Sequence, residues 1–380
     1  MKKTIVFVLA VATLSVVTQV AADVIFEENF DEQPDWHSGF SENDKGGYNT
    51  AGLPDRIQRA ATHKIPDNWY SVYQDPFFSP SMGYPDFHEV IEILGKNADK
   101  AKGGIGKSFI ERRDGRNDGS NWTSDGQLLK VFDNDHNSLY IEFYIAFDPN
   151  WTTAPSSDQA KLFRVGSWSR KDSEFQAFSN GNLGPILIWD WKSDAYGVRN
   201  LVALRGGPHG RNYTFTKPQL GSFPRTSMNY SNDVQGKGGN GANPKIVDKV
   251  NGGFIPSSGI IEHKQIFGEG GEYTKVAFYV EMNSSPGSQD GKLMQWVDDV
   301  QIMDVSDLMW IPSLPEDMSK MPGWNYFAIG GNDWFRSYSA TEKRQEWYSI
   351  DDVVVRRSIP NDLAAGRVTP PSPPVDLRVN

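Results

Sequence analysis

The run from Lys275 to Met282 constrains the fold more than any other stretch. Val276, Phe278, Val280 and Met282 fall on one side of it, and Lys275, Ala277, Tyr279 and Glu281 on the other. A period of two over a β-rich segment predicts a strand buried on one face. Pro286, Gly287, Ser288, Asp290 and Gly291 then cluster, and such residues supply the dihedrals a reversal needs. Lys292 to Val297 alternates again, and Asp298-Asp299 turns the chain into Val300-Gln301-Ile302. The pattern is an antiparallel meander with one apolar face. That face demands a second layer, and two stacked sheets satisfy it.

The rest of the chain agrees. Val24 to Phe30 reads as a first strand that pairs with the last, Ser349 to Arg356. Further strands are predicted at 86–94, 107–112, 128–132, 138–147, 160–168, 175–178, 185–191, 201–205, 213–215 and 324–330. Residues 31–69 and 218–254 are polar and rich in Gly and Asn, and are expected as long loops. Nothing repeats at a fixed period. The expected fold is all-β, a two-sheet antiparallel β-sandwich spanning residues 23–357.

The ends carry other signals. Lys2 and Lys3 precede an apolar core from Ile5 to Val17, and Val20-Ala21-Ala22 offers small residues before Asp23. This is the pattern of a secretory signal over residues 1–22. Its apolar core falls short of the ~20 residues that cross a bilayer. Residues 358–380 include TPPSPPVDLRVN, and proline at that density makes a stiff extended tail or linker. Its PPVDLRV resembles the first residues of a fibronectin type III module. The chain has no cysteine, so a packed core must supply its stability.

Charge narrows the partners. The chain has 38 basic and 48 acidic residues. A nucleic-acid partner is not expected, because a phosphate backbone demands a basic surface. A polysaccharide fits better, even an anionic one, since a basic groove can sit on an acidic protein. The chain has 12 Trp and 14 Tyr, and sugar rings present flat C–H faces to such aromatics.

The stretch YVEMN, its Gly-rich loop and DGKLMQWVDD resemble paired strands of the concanavalin A-like jelly rolls. The similarity is greatest to bacterial and viral polysaccharide lyases of the alginate and glucuronan type. Trp347 to Val355 resembles the closing strand of the same fold. These motifs cover about a third of the chain, and the fold also hosts hydrolases and lectins. The resemblance implies a protein that cleaves a uronate glycan by β-elimination, or one that only binds a glycan; with the signal at residues 1–22 it is expected to be secreted, and it is expected to be a monomer. Lys161-Leu162-Phe163-Arg164-Val165-Gly166 resembles the Lys-Leu-Pro-Gly segment of those lyases, which implies Lys161 as a catalytic residue. The paired tyrosines of the lyases' next strand are missing from SEFQAFSNGNLGPILIWDWKSD. A structural calcium at Glu28 and Asp351 is implied by the resemblance alone, and no other cofactor is expected.

β-Elimination needs a group that neutralises the carboxylate, a base for the C5 proton and an acid for the leaving oxygen. Tyr196 to Tyr213 gathers Arg199, Arg205, His209, Arg211 and Tyr213 around a Gly-Gly-Pro turn, and Arg holds carboxylates in a bidentate fork. His209 and Tyr213 join Lys161 as expected catalytic groups. His88, Arg164, Trp189, Arg199 and Arg205 are expected substrate contacts. Arg164 lies three residues from Lys161, so in a regular strand the two point apart. Either a bulge brings both to one face or only one belongs to the site. Glu89 and Glu92 point apart for the same reason, which disfavours a two-carboxylate hydrolase.

Overall fold

The computed structural model describes residues 23–37, 65–74, 91–114, 123–153, 158–171, 174–175, 183–194, 197–208, 216–224, 230–231, 245–255, 259–334 and 345–364. They form a two-sheet antiparallel β-sandwich. One sheet has nine strands. In spatial order they are β14 (Val300–Leu308), β13 (Gly291–Val297), β12 (Thr274–Glu281), β7 (Ser138–Phe147), β16 (Gln345–Arg356), β5 (Phe109–Asp114), β4 (Ile91–Ile93) and β2 (Trp36–His37), and β1 (Val24–Glu28) also pairs with β16. The other sheet has seven. They run β11 (Tyr230–Ser231), β10 (Gly197–Arg205), β9 (Leu183–Asp194), β8 (Asp158–Trp168), β15 (Trp324–Trp334), β6 (Thr123–His136) and β3 (Ser71–Gln74).

The meander read from the alternation is β12–β13–β14, in the expected register. Val276, Phe278, Val280, Leu293 and Val297 are buried in the core between the sheets. Asp298 and Asp299 make the tight turn with φ of 47° and 63°. Two-residue hairpins favour left-handed dihedrals there, and Asp is among the residues that tolerate them. The Asp298 carboxylate also accepts the Lys275 backbone N–H at 2.9 Å, which secures the turn. Asn283, the last residue of YVEMN, exchanges two hydrogen bonds with the Ile311 backbone. The first strand closes on the last as expected, with β5 on the first half of β16 and β1 on the second.

Aromatic rings fill the space between the sheets. Phe163 stacks on Phe278 with centroids 5.1 Å apart, and Trp189 lies 6.0 Å from Phe143 and 5.8 Å from Phe278. The Trp189 indole N–H donates to Asn200, which exchanges hydrogen bonds with Gln295 of the facing sheet. This polar pair crosses the core fully partnered, as a buried amide requires. Phe175 stands in a turn, and residues 176–178 and 213–215 lie outside the described residues. Beyond the expected boundary at 357, Ile359 and Leu363 pack on Tyr140, Tyr279 and Trp296 of the nine-stranded sheet.

Candidate functional site

The seven-stranded sheet turns its odd face outward with an unusual content. On β9, Leu187, Trp189 and Trp191 point into the sandwich, while Ile186, Ile188 and Asp190 point away. On β8 a bulge falls between Lys161 and Phe163, so that Lys161 pairs with Asp190 and Phe163 with Trp189. A bulge adds one residue and resets the alternation. Leu162 and Phe163 therefore both enter the core, and Lys161 and Arg164 share the outer face. Of the two geometries the sequence leaves open, the chain adopts the bulge.

The neighbouring strand makes room for it. Between Ile329 and Asp333, β15 is irregular in its pairing with β8, and Gly330 has φ of +88°. A Cβ on Gly331 would come within 2.7 Å of both Cβ and the carbonyl oxygen of Lys161. Only glycine lets the two bulges lie against each other. Asn332 follows, and its Oδ1 accepts a hydrogen bond from the Lys161 ammonium.

The charges converge on one carboxylate. Asp190 is 1% exposed, Lys161 and Arg205 6%, and Arg164 3%. Burial pushes the Asp190 carboxyl up to about 6, while Lys161, a hydrogen bond from the Gln159 amide, Arg205 and Arg164 pull it back. Among the described residues, three cations thus act on this one carboxylate, on a chain whose net charge is −10. Beside Arg164, burial raises the Tyr326 hydroxyl well above the ordinary tyrosine range, and the guanidinium draws it partly back. Tyr326 is fully buried, and it fits only because residue 166 is glycine, where a Cβ would meet its ring at 2.7 Å. Around the cluster, Gln159, Lys192 and Asn332 are half-buried.

Of the residues expected from the sequence, Lys161, Arg164 and Arg205 are brought together here. Arg199 sits on the same strand as Arg205, at the register position opposite Lys192. Trp189 is a correction: its ring is 1% exposed between the sheets, so no sugar can stack on it. Register decides this, because β9 alternates and Trp189 has the parity of the core. His88, His209 and Tyr213 lie outside the described residues. Asp190, Gln159 and Asn332 were not expected. A trace of Asp190 was visible, since ILIWDW sets one charged residue within an apolar run.

Glu28 and Asp351, the calcium ligands implied by the resemblance, both accept protein donors in the structure. Glu28 already accepts from the Phe30 backbone, the Gln33 amide and the Trp69 indole. Asp351 accepts the backbone N–H groups of Lys102 and Asp352. Among the described residues, no three His, Asp or Glu side chains gather as metal ligands. No described helix is long and apolar enough to cross a membrane.

No family model matches the sequence, and no curated protein matches it. Solved structures do resemble the fold. A complex of alginate lyase Aly36B with an alginate tetrasaccharide shares 16% identity, covering 78% of this chain and 96% of that one at a TM-score of 0.41. An alginate lyase from a Chlorella virus shares 10%, covering 66% of this chain and 85% of that one at 0.37. The carbohydrate recognition domain of Emp47p shares 11%, covering 78% and 92% at 0.35. At these identities the likeness concerns the sandwich and not its chemistry.

Proposed function

We propose that the outer face of the seven-stranded sheet engages an anionic polysaccharide, and that the protein is a secreted polyuronate lyase. The observation that carries this reading is the convergence of Lys161, Arg164 and Arg205 on Asp190. Guanidinium forks match a uronate carboxylate, and a dry site strengthens the match. In β-elimination, neutralising the carboxylate acidifies the C5 proton. In this reading Arg164 or Arg205 meets the carboxylate, and Lys161, reacting as the neutral amine, accepts that proton at Nζ. The C4–O bond then breaks, a C4–C5 double bond forms, and the leaving oxygen takes a proton from an acid. The sequence offers His209 and Tyr213 for that last role.

A second reading, a module that holds the glycan without cleaving it, is favoured by Tyr326. Its hydroxyl lies beside Arg164 and is fully buried, where a solvent-borne glycan does not reach it. One experiment separates the readings. The protein is incubated with alginate, glucuronan, polygalacturonate and a neutral glucan, and unsaturated uronate is followed by ultraviolet absorbance. Product from a polyuronate, abolished by Lys161→Met in a folded protein, is the expected result. Saturable binding without product supports the module, and neither binding nor product refutes both.

A further inference from the structure

The site's geometry depends on a residue of the opposite sheet. Glu111 of β5 is fully buried and points into the sandwich, where its Oε2 accepts the hydroxyl of Tyr348, its partner across β5 and β16. The same oxygen accepts the backbone N–H of Gly331, 3.2 Å away in β15 of the other sheet. A Cβ on Gly330 would lie 2.7 Å from that oxygen, so the glycine pair is shaped to receive it. One residue later Asn332 accepts the Lys161 ammonium. We infer that Glu111 is a positioning residue: by holding the Gly330–Gly331 bulge from across the core, it fixes Asn332 and through it the Lys161 amine.

The physical grounds are those of any bistable irregularity. A bulge leaves ladder groups unpaired, and a strand can relax into regular register unless something engages them. Here a buried carboxyl supplies the missing acceptor to the Gly331 N–H. A regular β15 would carry Asn332 out of step with Lys161, because a one-residue slip reverses every side chain. Gly331 also lets Lys161 approach, so the carboxyl and the missing Cβ act on the same contact from two sides.

The importance of Lys161 to a ligand rests on the polysaccharide reading, but the primary measurement does not. The Lys161 side-chain resonances are assigned in the free protein by comparison with Lys161→Arg. Glu111→Leu combined with Tyr348→Phe removes the carboxyl and its hydroxyl donor together, which an apolar core tolerates better than one orphaned partner. The brace predicts that this variant shifts the Lys161 Cε and Nζ resonances. Tyr348→Phe alone, which keeps the Glu111–Gly331 bond, should leave them near wild type while also perturbing the core. Asn332→Ala changes a half-buried residue outside the core and should shift them as the double variant does. Affinity for an alginate oligosaccharide should fall about tenfold in both shifted proteins, the scale of a lost hydrogen bond to a charged group. Unmoved Lys161 resonances in Asn332→Ala overturn the route, whether or not the core variant folds. Equal shifts in Tyr348→Phe and the double variant also overturn it, because they mark general loosening. If the wild type binds no polyuronate, the function fails while the Lys161 resonances still decide the brace.

Discussion

Ligand binding at the cationic cluster should tighten as the solution becomes more acid, and Asp190 sets the size of the effect. With its carboxyl raised to about 6, Asp190 is about nine-tenths ionised at pH 7 and about one-tenth at pH 5. An ionised Asp190 repels a bound uronate. At about 6 Å and an effective dielectric of about 20, the repulsion would reach about 3 kcal/mol. The protein need not bear it all, because Asp190 can take up a proton when the ligand arrives. At pH 7 that uptake costs about 1.4 kcal/mol, one unit above its pKa. The lesser quantity governs, so Kd should be about tenfold tighter at pH 5 than at pH 7. The ligand carboxylates stay ionised above about pH 4.5, by analogy with Asp and Glu. The assay is titration calorimetry with a uronate oligosaccharide at fixed ionic strength from pH 5 to 8. Two buffers of different ionisation heat should reveal proton uptake on binding. Asp190→Asn keeps an acceptor for Gln159 and should flatten the profile at the tight end. A Kd that is independent of pH in the wild type, or that weakens toward pH 5, would refute the argument. So would a slope that survives in Asp190→Asn.

Three further outcomes test the fold around the site. His263 accepts the Trp191 indole N–H at 3.1 Å among Phe147 and Phe267, and burial lowers its pKa to about 3. The unfolded chain therefore binds a proton that the fold refuses, so this stabilisation is present above about pH 6.5 and is lost progressively as pH falls toward 3. One side of His263 lines a pocket of about 400 Å³, so we discount for solvent and expect a loss of about 2 kcal/mol by pH 4.5. Urea unfolding of wild type and His263→Phe should show their difference shrinking on acidification, and a constant difference rejects it. Arg113 and Glu346 form a buried ion pair at 2.7 Å, with the guanidinium 3.4 Å over Trp151. Glu346→Ala should destabilise by about 3–5 kcal/mol in denaturant titrations, and Arg113→Met with Glu346→Leu by much less. Equal losses would contradict that account. Trp189→Ala should lower stability by about 3–5 kcal/mol through the cavity it leaves, and ligand affinity measured well below the melting transition should hold.

Local pattern alone carried the architecture a long way. The alternation of Lys275 to Met282 decided which side chains of β12 face the core, and Asp298-Asp299 decided where the hairpin turns. Both are properties of neighbours in sequence, which period and dihedral preference govern. Val24 to Glu28 was legible as a strand from its residues, and its pairing with the last strand was implied by the resemblance. Lys161 was legible through the resemblance and Arg205 through a separate basic cluster, but their meeting was not. That depended on pairing β8 with β9 and β9 with β10, which brings residues 161, 190 and 205 onto one face. Arg164 shows the limit most clearly. Strict alternation puts it opposite Lys161, and only the bulge, made possible by Gly330 and Gly331 on a strand over 160 residues away, turns it to the same side. Trp189 shows the converse, an aromatic whose chemistry suits a sugar and whose register buries it. Sequence by itself determined the β12–β13 hairpin and its inward face, because those follow from contacts between adjacent residues. The tertiary structure alone decided which charges share a dry face, because strand register and one inserted residue set that across the whole chain.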